Sequence, residues 1–186
     1  MLREIDNVLT EDDVRRIARE EVRQAFTKDP AARRMSLIAS KGTLDWAYPP
    51  LILSTAGAAA GMEASIFFTF YGLNIIHKGF PKKLKVSPVG NPAMPMPVPM
   101  ADLFTSLPGM KPFATSMMKS MFKKKGVATI SELLEVALES EVRLIACQMT
   151  MEVFGFEEKD FIDGVEFGGA AAFVSDARQG HITLFI

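Results

Sequence analysis

The sequence contains a single cysteine, Cys147, among 186 residues. No intramolecular disulfide is therefore possible, which sets the chain apart from disulfide-stapled secreted domains. The N-terminal segment MLREIDNVLTEDDVRR is charged from Arg3 onward and lacks the apolar core of a signal peptide. From these absences we expect a cytoplasmic protein.

Signals for nucleotides, nucleic acids and hydrolytic catalysis are also scarce. Neither GxGxxG nor GxxxxGK[ST] occurs, so we predict no nucleotide-binding loop and no cofactor. The net charge of −1 gives no general attraction for nucleic acid. The two histidines, His77 and His181, are interpreted as surface or hydrogen-bonded residues rather than partners of a catalytic cysteine.

The composition supplies soft sulfur ligands, which suit copper(I). A site of this kind would use Cys147 with Met94, Met96, Met149 and Met151. Methionine more often fills gaps in a core or a loop. We therefore predict no metal site.

The longest apolar run, Leu51 to Ile76, is long enough to span a bilayer. Glu63 lies near its centre, where a charge is costly in hydrocarbon. Gly61 also divides the run into a half rich in small residues and a half rich in β-branched and aromatic residues. This division favours a buried helix followed by a buried strand over a membrane span.

Short apolar strands alternate with helical segments along the rest of the chain, which predicts a parallel sheet covered by helices on both faces. The predicted strands are 35–39, 64–70, 143–146, 164–167 and 181–186. We interpret residues 1–34 as an N-terminal helical extension and residues 35–186 as one α/β domain. The segment 80–111 holds most of the eleven prolines, and we interpret it as an ordered lid or an oligomer contact.

In open parallel sheets, ligands bind beyond the carboxyl ends of the strands, and Cys147 follows the third predicted strand. It also precedes a helical turn, whose free N–H groups favour a thiolate. Lys41 can lower the pKa of the thiol further if its strand lies beside that of Cys147. A thiolate is what attack on sulfane sulfur requires. The alternative is that Cys147 is a small buried hydrophobe, which is the commoner fate of a free cysteine.

Residues at the other strand ends and in the proline-rich segment are the candidate binding residues. Lys41, Thr43 and Gln148 can supply charge or hydrogen bonds, and the pair Gly168–Gly169 before a helix can cradle an anion. The full candidate set comprises Lys41, Gly42, Thr43, Tyr71, Asn91, Met94, Gln148, Gly168 and Gly169.

Several stretches resemble the DsrE-like branch of the DsrE/DsrF sulfur-relay superfamily. These are SKGTLDWAYPPLILSTAGAAAGMEASIFFTFYGL, KLKVSPVGNPAMPMP, ACQMTMEVFGF, DFIDGVEFGGAAAF and HITLFI. The resemblance covers about residues 35–186 and leaves out the N-terminal segment. It implies a three-layer α/β/α sandwich with a mainly parallel five-stranded sheet of flavodoxin-like topology. It also implies a homo-oligomer, a trimer or larger.

The same resemblance implies intracellular sulfur trafficking, in which a cysteine accepts sulfane sulfur from a donor protein and passes it to an acceptor protein. The family cysteine corresponds to Cys147. Our hypothesis is therefore a sulfur carrier or sulfurtransferase. The alternatives are a non-catalytic module that binds a small ligand and an oligomeric scaffold associated with a membrane redox complex.

Overall fold

The computed structural model describes Arg16, residues 34–87 and residues 110–186. Within these residues the chain forms one five-stranded sheet in which every strand pair is parallel. The strands are β1 (Arg34–Ala39), β2 (Glu63–Phe68), β3 (Arg143–Cys147), β4 (Val165–Gly168) and β5 (Ile182–Phe185). The predicted parallel sheet is confirmed, and each predicted strand lies within two residues of the observed one.

The strands are arranged in the order β4-β3-β2-β1-β5. The chain steps outward from β1 to β4 and then returns across the sheet, so that β5 pairs with the other side of β1. The predicted flavodoxin-like topology is wrong in this respect, because flavodoxin has the order 2-1-3-4-5. Alternation of strands and helices fixes a parallel sheet, but it does not reveal which crossover reverses direction.

Six α-helices connect these strands in the described residues. They are α1 (Leu44–Ala59), α2 (Leu73–Ile76), α3 (Met110–Lys124), α4 (Ile130–Glu139), α5 (Gln148–Phe154) and α6 (Ala170–Ala177). Helix α4 begins with a capping box, in which Thr129 and Glu132 each bond the other's backbone N–H. Helix α1 runs through Pro49 and Pro50, where the sequence predicted a start or a kink. Packing of its neighbours Ala47, Tyr48 and Leu51 in the core offsets the two missing hydrogen bonds.

Alternate strand residues face opposite sides of the sheet, and the two sides differ in size. One side carries the main core, in which Leu37, Ile66 and Leu144 are fully buried with side chains of α1 and α4. The other side carries a smaller cluster of Phe67, Ile145, Cys147 and Phe173. Because Phe173 comes from α6, helices cover both faces, and the predicted three-layer α/β/α sandwich is confirmed.

The apolar run Leu51–Ile76 divides as predicted, into the end of α1, strand β2 and the short helix α2. No helix among the described residues has the length and apolar character needed to cross a membrane. Residues 88–109 and, apart from Arg16, residues 1–33 lie outside the described part. The helical extension and the lid or oligomer contact therefore stay predictions.

Candidate functional site

The carboxyl ends of the parallel strands bring the predicted strand-end residues to one edge of the sheet. Thr69 follows β2, Cys147 ends β3 and Gly168 ends β4. Cys147 and Gly168 are direct partners in the β3–β4 register. The only thiol of the chain therefore lies on this edge, as expected.

Cys147 is both the last residue of β3 and the N-cap of α5, with φ −72° and ψ 109°. Its side chain is buried, with 2% of the residue exposed. It lies in the small cluster with Phe67, Ile145 and Phe173, on the side of the sheet opposite the main core. The thiol makes no capping hydrogen bond. Cys147 therefore has both the strand-end position expected of a reactive thiol and the burial expected of a small hydrophobe.

Lys41 was predicted to lower the pKa of the Cys147 thiol if their two strands were neighbours, and they are not. Strand β2 lies between β1 and β3, which separates the two strands by about 10 Å. The ammonium group of Lys41 instead lies over the Trp46 ring, with Nζ 3.2 Å from the ring centroid. This cation–π contact holds Lys41 at the start of α1.

Gly42 lies where two loops at the carboxyl edge touch. A Cβ on Gly42 would be 2.0 Å from the Tyr71 carbonyl oxygen, and one on Gly72 would be 2.0 Å from the Ala39 carbonyl oxygen. The Gly72 N–H donates to Ser40 O at 3.2 Å, which ties the loops together. The backbone packing therefore requires a glycine at position 42, whether or not Gly42 also contacts a ligand.

Thr43 is the N-cap of α1, but its hydroxyl does not cap the helix. Its backbone oxygen accepts the N–H groups of Trp46 and Ala47. Its Oγ1 is the one buried side-chain polar atom in the described residues without a hydrogen-bond partner. This hydroxyl is therefore available to a ligand or a water molecule.

The loop after β2 is linked to α5 by Thr150, a residue that the sequence analysis did not single out. Its Oγ1 lies 3.1 Å from Thr69 Oγ1 and accepts the Phe70 N–H at 3.3 Å. Phe70 has φ +47°, which is rare for a residue other than glycine. Tyr71 is 65% exposed, and its ring centroid lies 5.7 Å from that of Phe154. Thr150 thus holds the backbone beside Cys147 in an uncommon conformation.

Of the remaining candidate binding residues, some lie at the carboxyl edge and others lie outside the described residues. Gln148 is the first residue of α5 and is exposed. Gly169 is the N-cap of α6, and a Cβ there would meet nothing within 4 Å. Asn91 and Met94 lie outside the described residues. In the part that the structure describes, no group of three or more His, Cys, Asp or Glu side chains is arranged to hold a metal ion.

A polar layer joins α6 to the sheet on the side of Cys147. Arg143 donates to Glu166 at 2.7 and 3.0 Å and to Asp176 of α6 at 3.1 Å. Ser65 Oγ donates to the other Asp176 oxygen at 3.1 Å. Hydrogen bonds from Arg143 lower the pKa of Glu166, and those to Glu166 raise the pKa of Arg143. Asp176 thus links the sheet to the helix that carries Phe173.

The Arg143–Glu166 pair predicts an acid-sensitive contribution to stability. Since the folded pKa of Glu166 lies below its ordinary 4.5, the contribution is complete above that pH and is lost as the pH falls through the folded pKa. Both side chains are about half exposed, so we expect only about 0.5–1 kcal/mol. The free energies of unfolding of the native chain and Glu166→Gln in urea should differ at pH 7, and the difference should shrink as the pH is lowered below 4.5. A difference that does not change with pH would contradict this assignment.

The chain is similar to several known proteins. The model of the DsrE/DsrF/DrsH-like family matches residues 31–185. The Sulfur carrier protein DsrE2 of Allochromatium vinosum is 50% identical over 158 residues, which cover 83% of this chain and 98% of that protein. The Uncharacterized protein YrkE of Bacillus subtilis is 34% identical over 164 residues, covering 83% of this chain and 97% of that protein. The predicted family resemblance is confirmed.

Solved structures give a more distant match. The ychN protein from E. coli has a TM-score of 0.49 and 12% identity, covering 83% of this chain and 99% of that chain. The protein MTH1491 from Methanobacterium thermoautotrophicum has a TM-score of 0.46 and the same identity, covering 82% and 98%. Neither match informs the roles of individual residues.

Proposed function

The chain belongs to the DsrE/DsrF/DrsH-like family, and from this membership we propose that it is a sulfur carrier that holds sulfane sulfur as a persulfide on Cys147. The observation that carries the proposal is the 50% identity to a protein named Sulfur carrier protein DsrE2, over 98% of that protein and 83% of this chain. The position of the only cysteine supports it, since Cys147 ends a strand at the edge where parallel sheets bind ligands.

Loading is a transfer of one sulfur atom without net oxidation. The Cys147 thiolate attacks the outer sulfur of a donor persulfide, R–S–SH, and a new S–S bond forms at Sγ. The S–S bond of the donor breaks, and the donor leaves as the thiolate R–S⁻. Thiosulfate can replace the persulfide, in which case sulfite leaves.

Discharge must go to another molecule, because the chain has no second cysteine with which to form an internal disulfide. A thiolate of the acceptor attacks the outer sulfur on Cys147, and Cys147 leaves as a thiolate. The proposed partners are therefore a protein that donates sulfane sulfur and a protein that accepts it. A sulfurtransferase activity would consist of these two half-reactions.

One candidate neighbour is proposed to interact with the outer sulfur. Gln148 is exposed and directly follows Cys147, so its amide can donate a hydrogen bond to the persulfide anion. Thr43 offers an unpartnered hydroxyl at the same edge of the sheet, and because it follows β1, two strands from Cys147, it is proposed for the surrounding pocket. Lys41, Gly42, Tyr71, Asn91, Met94, Gly168 and Gly169 stay proposals for the surrounding pocket.

Sulfur loading can be tested by cyanolysis. The protein is incubated with thiosulfate, freed of small molecules and treated with cyanide, which removes the outer sulfur as thiocyanate and restores the thiolate. We expect close to one thiocyanate per chain, and none after the loaded protein is first reduced with dithiothreitol. Thiocyanate no higher than in a matched sample without donor, with thiosulfate and with a persulfide donor alike, would reject the carrier function.

The burial of Cys147 favours one alternative, a non-catalytic module that binds a small ligand at the same edge. A thiol that is only 2% exposed behaves as a core residue unless the protein opens. Under this alternative Cys147 resists both sulfur donors and thiol reagents in the folded protein. Reaction of the folded protein with a neutral thiol reagent therefore separates the two functions.

We also propose a homo-oligomer, a trimer or larger, as the family resemblance implied. The carboxyl edge carries several large apolar side chains that are more than half exposed in the single chain. They are Phe70, Tyr71, Met149 and Val153. Burial of these side chains between copies would remove apolar surface from water. Native mass spectrometry measures the number of chains, and a monomer at micromolar concentration would contradict this proposal.

A further inference from the structure

Cys147 is closed off from any partner in this conformation. With 2% of the residue exposed, its sulfur cannot come within bonding distance of a sulfur atom on another protein. Its buried neighbours Phe67 and Ile145 lie on β2 and β3, inside the sheet. Phe173 is the one buried member of this cluster, within the described residues, that lies outside the sheet. Access to the thiol therefore depends on α6.

Helix α6 is held to the sheet by apolar contacts and by the hydrogen bonds of Asp176. The apolar contacts come from the Phe173 ring, whose centroid lies 5.1 Å from that of Phe67, and from the partly buried Ala177. The polar attachment is Asp176, which accepts hydrogen bonds from Arg143 and Ser65 at 3.1 Å each. Three residues of its first turn are exposed, as is Val174, and they add little to the docking.

The two ends of α6 differ, because its start is open and its far end is attached to β1. The helix has eight residues, and helices of this length have little stability of their own. Gly169 directly precedes it, with open space where a side chain would be. At the other end, Gly180 lies close to the Arg34 backbone, and Arg34 donates to Gln179 Oε1 at 2.6 Å, so this end is a fixed pivot. Gly169 can absorb the change in backbone angles that is required when the helix turns about this pivot.

We propose that α6 is a gate over Cys147, closed by Phe173 and latched by Asp176, and that the thiol exchanges sulfur only while α6 is detached from the sheet. This proposal rests on the proposed function for the identity of the reaction, and it adds what controls the reaction. Opening is a local event that leaves the main core intact, because the main core lies on the other face of the sheet. When the gate closes, the apolar cluster shields a loaded persulfide from small thiols in solution.

The gate is tested by the rate at which folded protein reacts with N-ethylmaleimide, a small neutral thiol reagent. We expect the native chain to react about 100-fold or more slowly than the urea-unfolded chain. Phe173→Ala removes the apolar cover and should react about tenfold or more faster than the native chain. Val174→Ala, an exposed change on the same helix, is the matched control and should stay within about twofold.

Phe173→Ala could expose the thiol simply by leaving a gap beside it. Asp176→Asn tests instead whether movement of α6 exposes the thiol. Asp176 bonds Arg143, which begins β3, whereas Cys147 ends that strand, so replacing Asp176 can expose the thiol only by loosening the helix. We expect the rate to rise roughly three- to tenfold, because the charge-assisted bond to Arg143 is weakened. Raising NaCl from 0.1 to 1 M shortens the screening length from about 10 to about 3 Å. The added salt should raise the rate at which the native chain reacts with N-ethylmaleimide and should leave the rate of Asp176→Asn nearly unchanged.

Low concentrations of urea distinguish the gate from global unfolding. A local opening exposes little surface, so its rate should barely depend on urea, whereas global unfolding depends on it steeply. The proposal is overturned if Asp176→Asn reacts no faster than Val174→Ala, or if the reaction of the native chain follows the urea dependence of global unfolding.

The outcomes for the gate and for the sulfur carrier are distinguishable. If the variants show the expected rates with N-ethylmaleimide but no form of the protein takes up sulfur, the gate stands and the carrier function fails. If the native chain takes up sulfur and the variants take it up no faster, with N-ethylmaleimide rates also unchanged, the carrier function stands and the gate fails.

Discussion

Replacement of Cys147 by serine is expected to abolish sulfur loading, with thiocyanate release falling to the level of a sample without donor. The reason is that a serine hydroxyl is not deprotonated near neutral pH and forms no bond to sulfane sulfur, while the chain contains no other thiol. The expected effect is a complete loss, because no second residue can carry the sulfur.

Serine places a hydroxyl in an apolar cluster, which costs about 1–3 kcal/mol. Cys147→Ala is therefore the companion variant, since it removes the sulfur without adding a polar group. Circular dichroism and urea unfolding check that both variants are folded. Loading of folded Cys147→Ser or Cys147→Ala at the native level would show that sulfur is held elsewhere and would contradict the proposed mechanism.

Replacement of Gly72 by alanine is expected to destabilise the protein by about 2–4 kcal/mol. The new Cβ would lie 2.0 Å from the Ala39 carbonyl oxygen, and a backbone atom of a buried strand cannot move aside. The backbone angles at Gly72, φ −58° and ψ −27°, are ordinary for alanine. The whole loss therefore comes from the clash. Urea unfolding measures it.

Gly79→Ala is the matched control for this prediction. The nearest atoms to its new Cβ belong to the His77 ring, at 3.5 Å, which is an ordinary contact. We expect its free energy of unfolding to stay within about 0.5 kcal/mol of that of the native chain. Equal effects at Gly72 and Gly79 would show that the two loops at the carboxyl edge do not pack as closely as described.

Much of this fold could be predicted from local patterns. The strand RLIA before Cys147 and the helix Ala170–Ala177 were recognisable because apolar runs and glycines mark their ends. The unbroken course of α1 through Pro49 and Pro50 could not be predicted, because it depends on packing against the sheet. The place of β5 beside β1 was also hidden, since it is set by a crossover between distant segments.

The candidate site was predictable only in part, for a related reason. A strand followed by a helical turn places Cys147 at the carboxyl edge of a parallel sheet, and this position is confirmed. Thr150, Arg143 and Asp176 were missed because each acts through a residue far away in the sequence. Asp176, for example, meets Ser65, which is 111 positions earlier. Lys41 was expected near the thiol, but its strand lies two places away.

The central claim, that sulfur is carried on Cys147, is tested most directly by locating the added sulfur in the native chain. The protein is loaded with thiosulfate, alkylated with iodoacetamide under denaturing conditions and cleaved with trypsin. The peptide that contains Cys147 spans residues 144–159. We predict that this peptide carries the mass of one extra sulfur atom beneath the alkyl group, and that prior reduction removes it. A loaded protein in which residues 144–159 carry no extra sulfur would contradict the account.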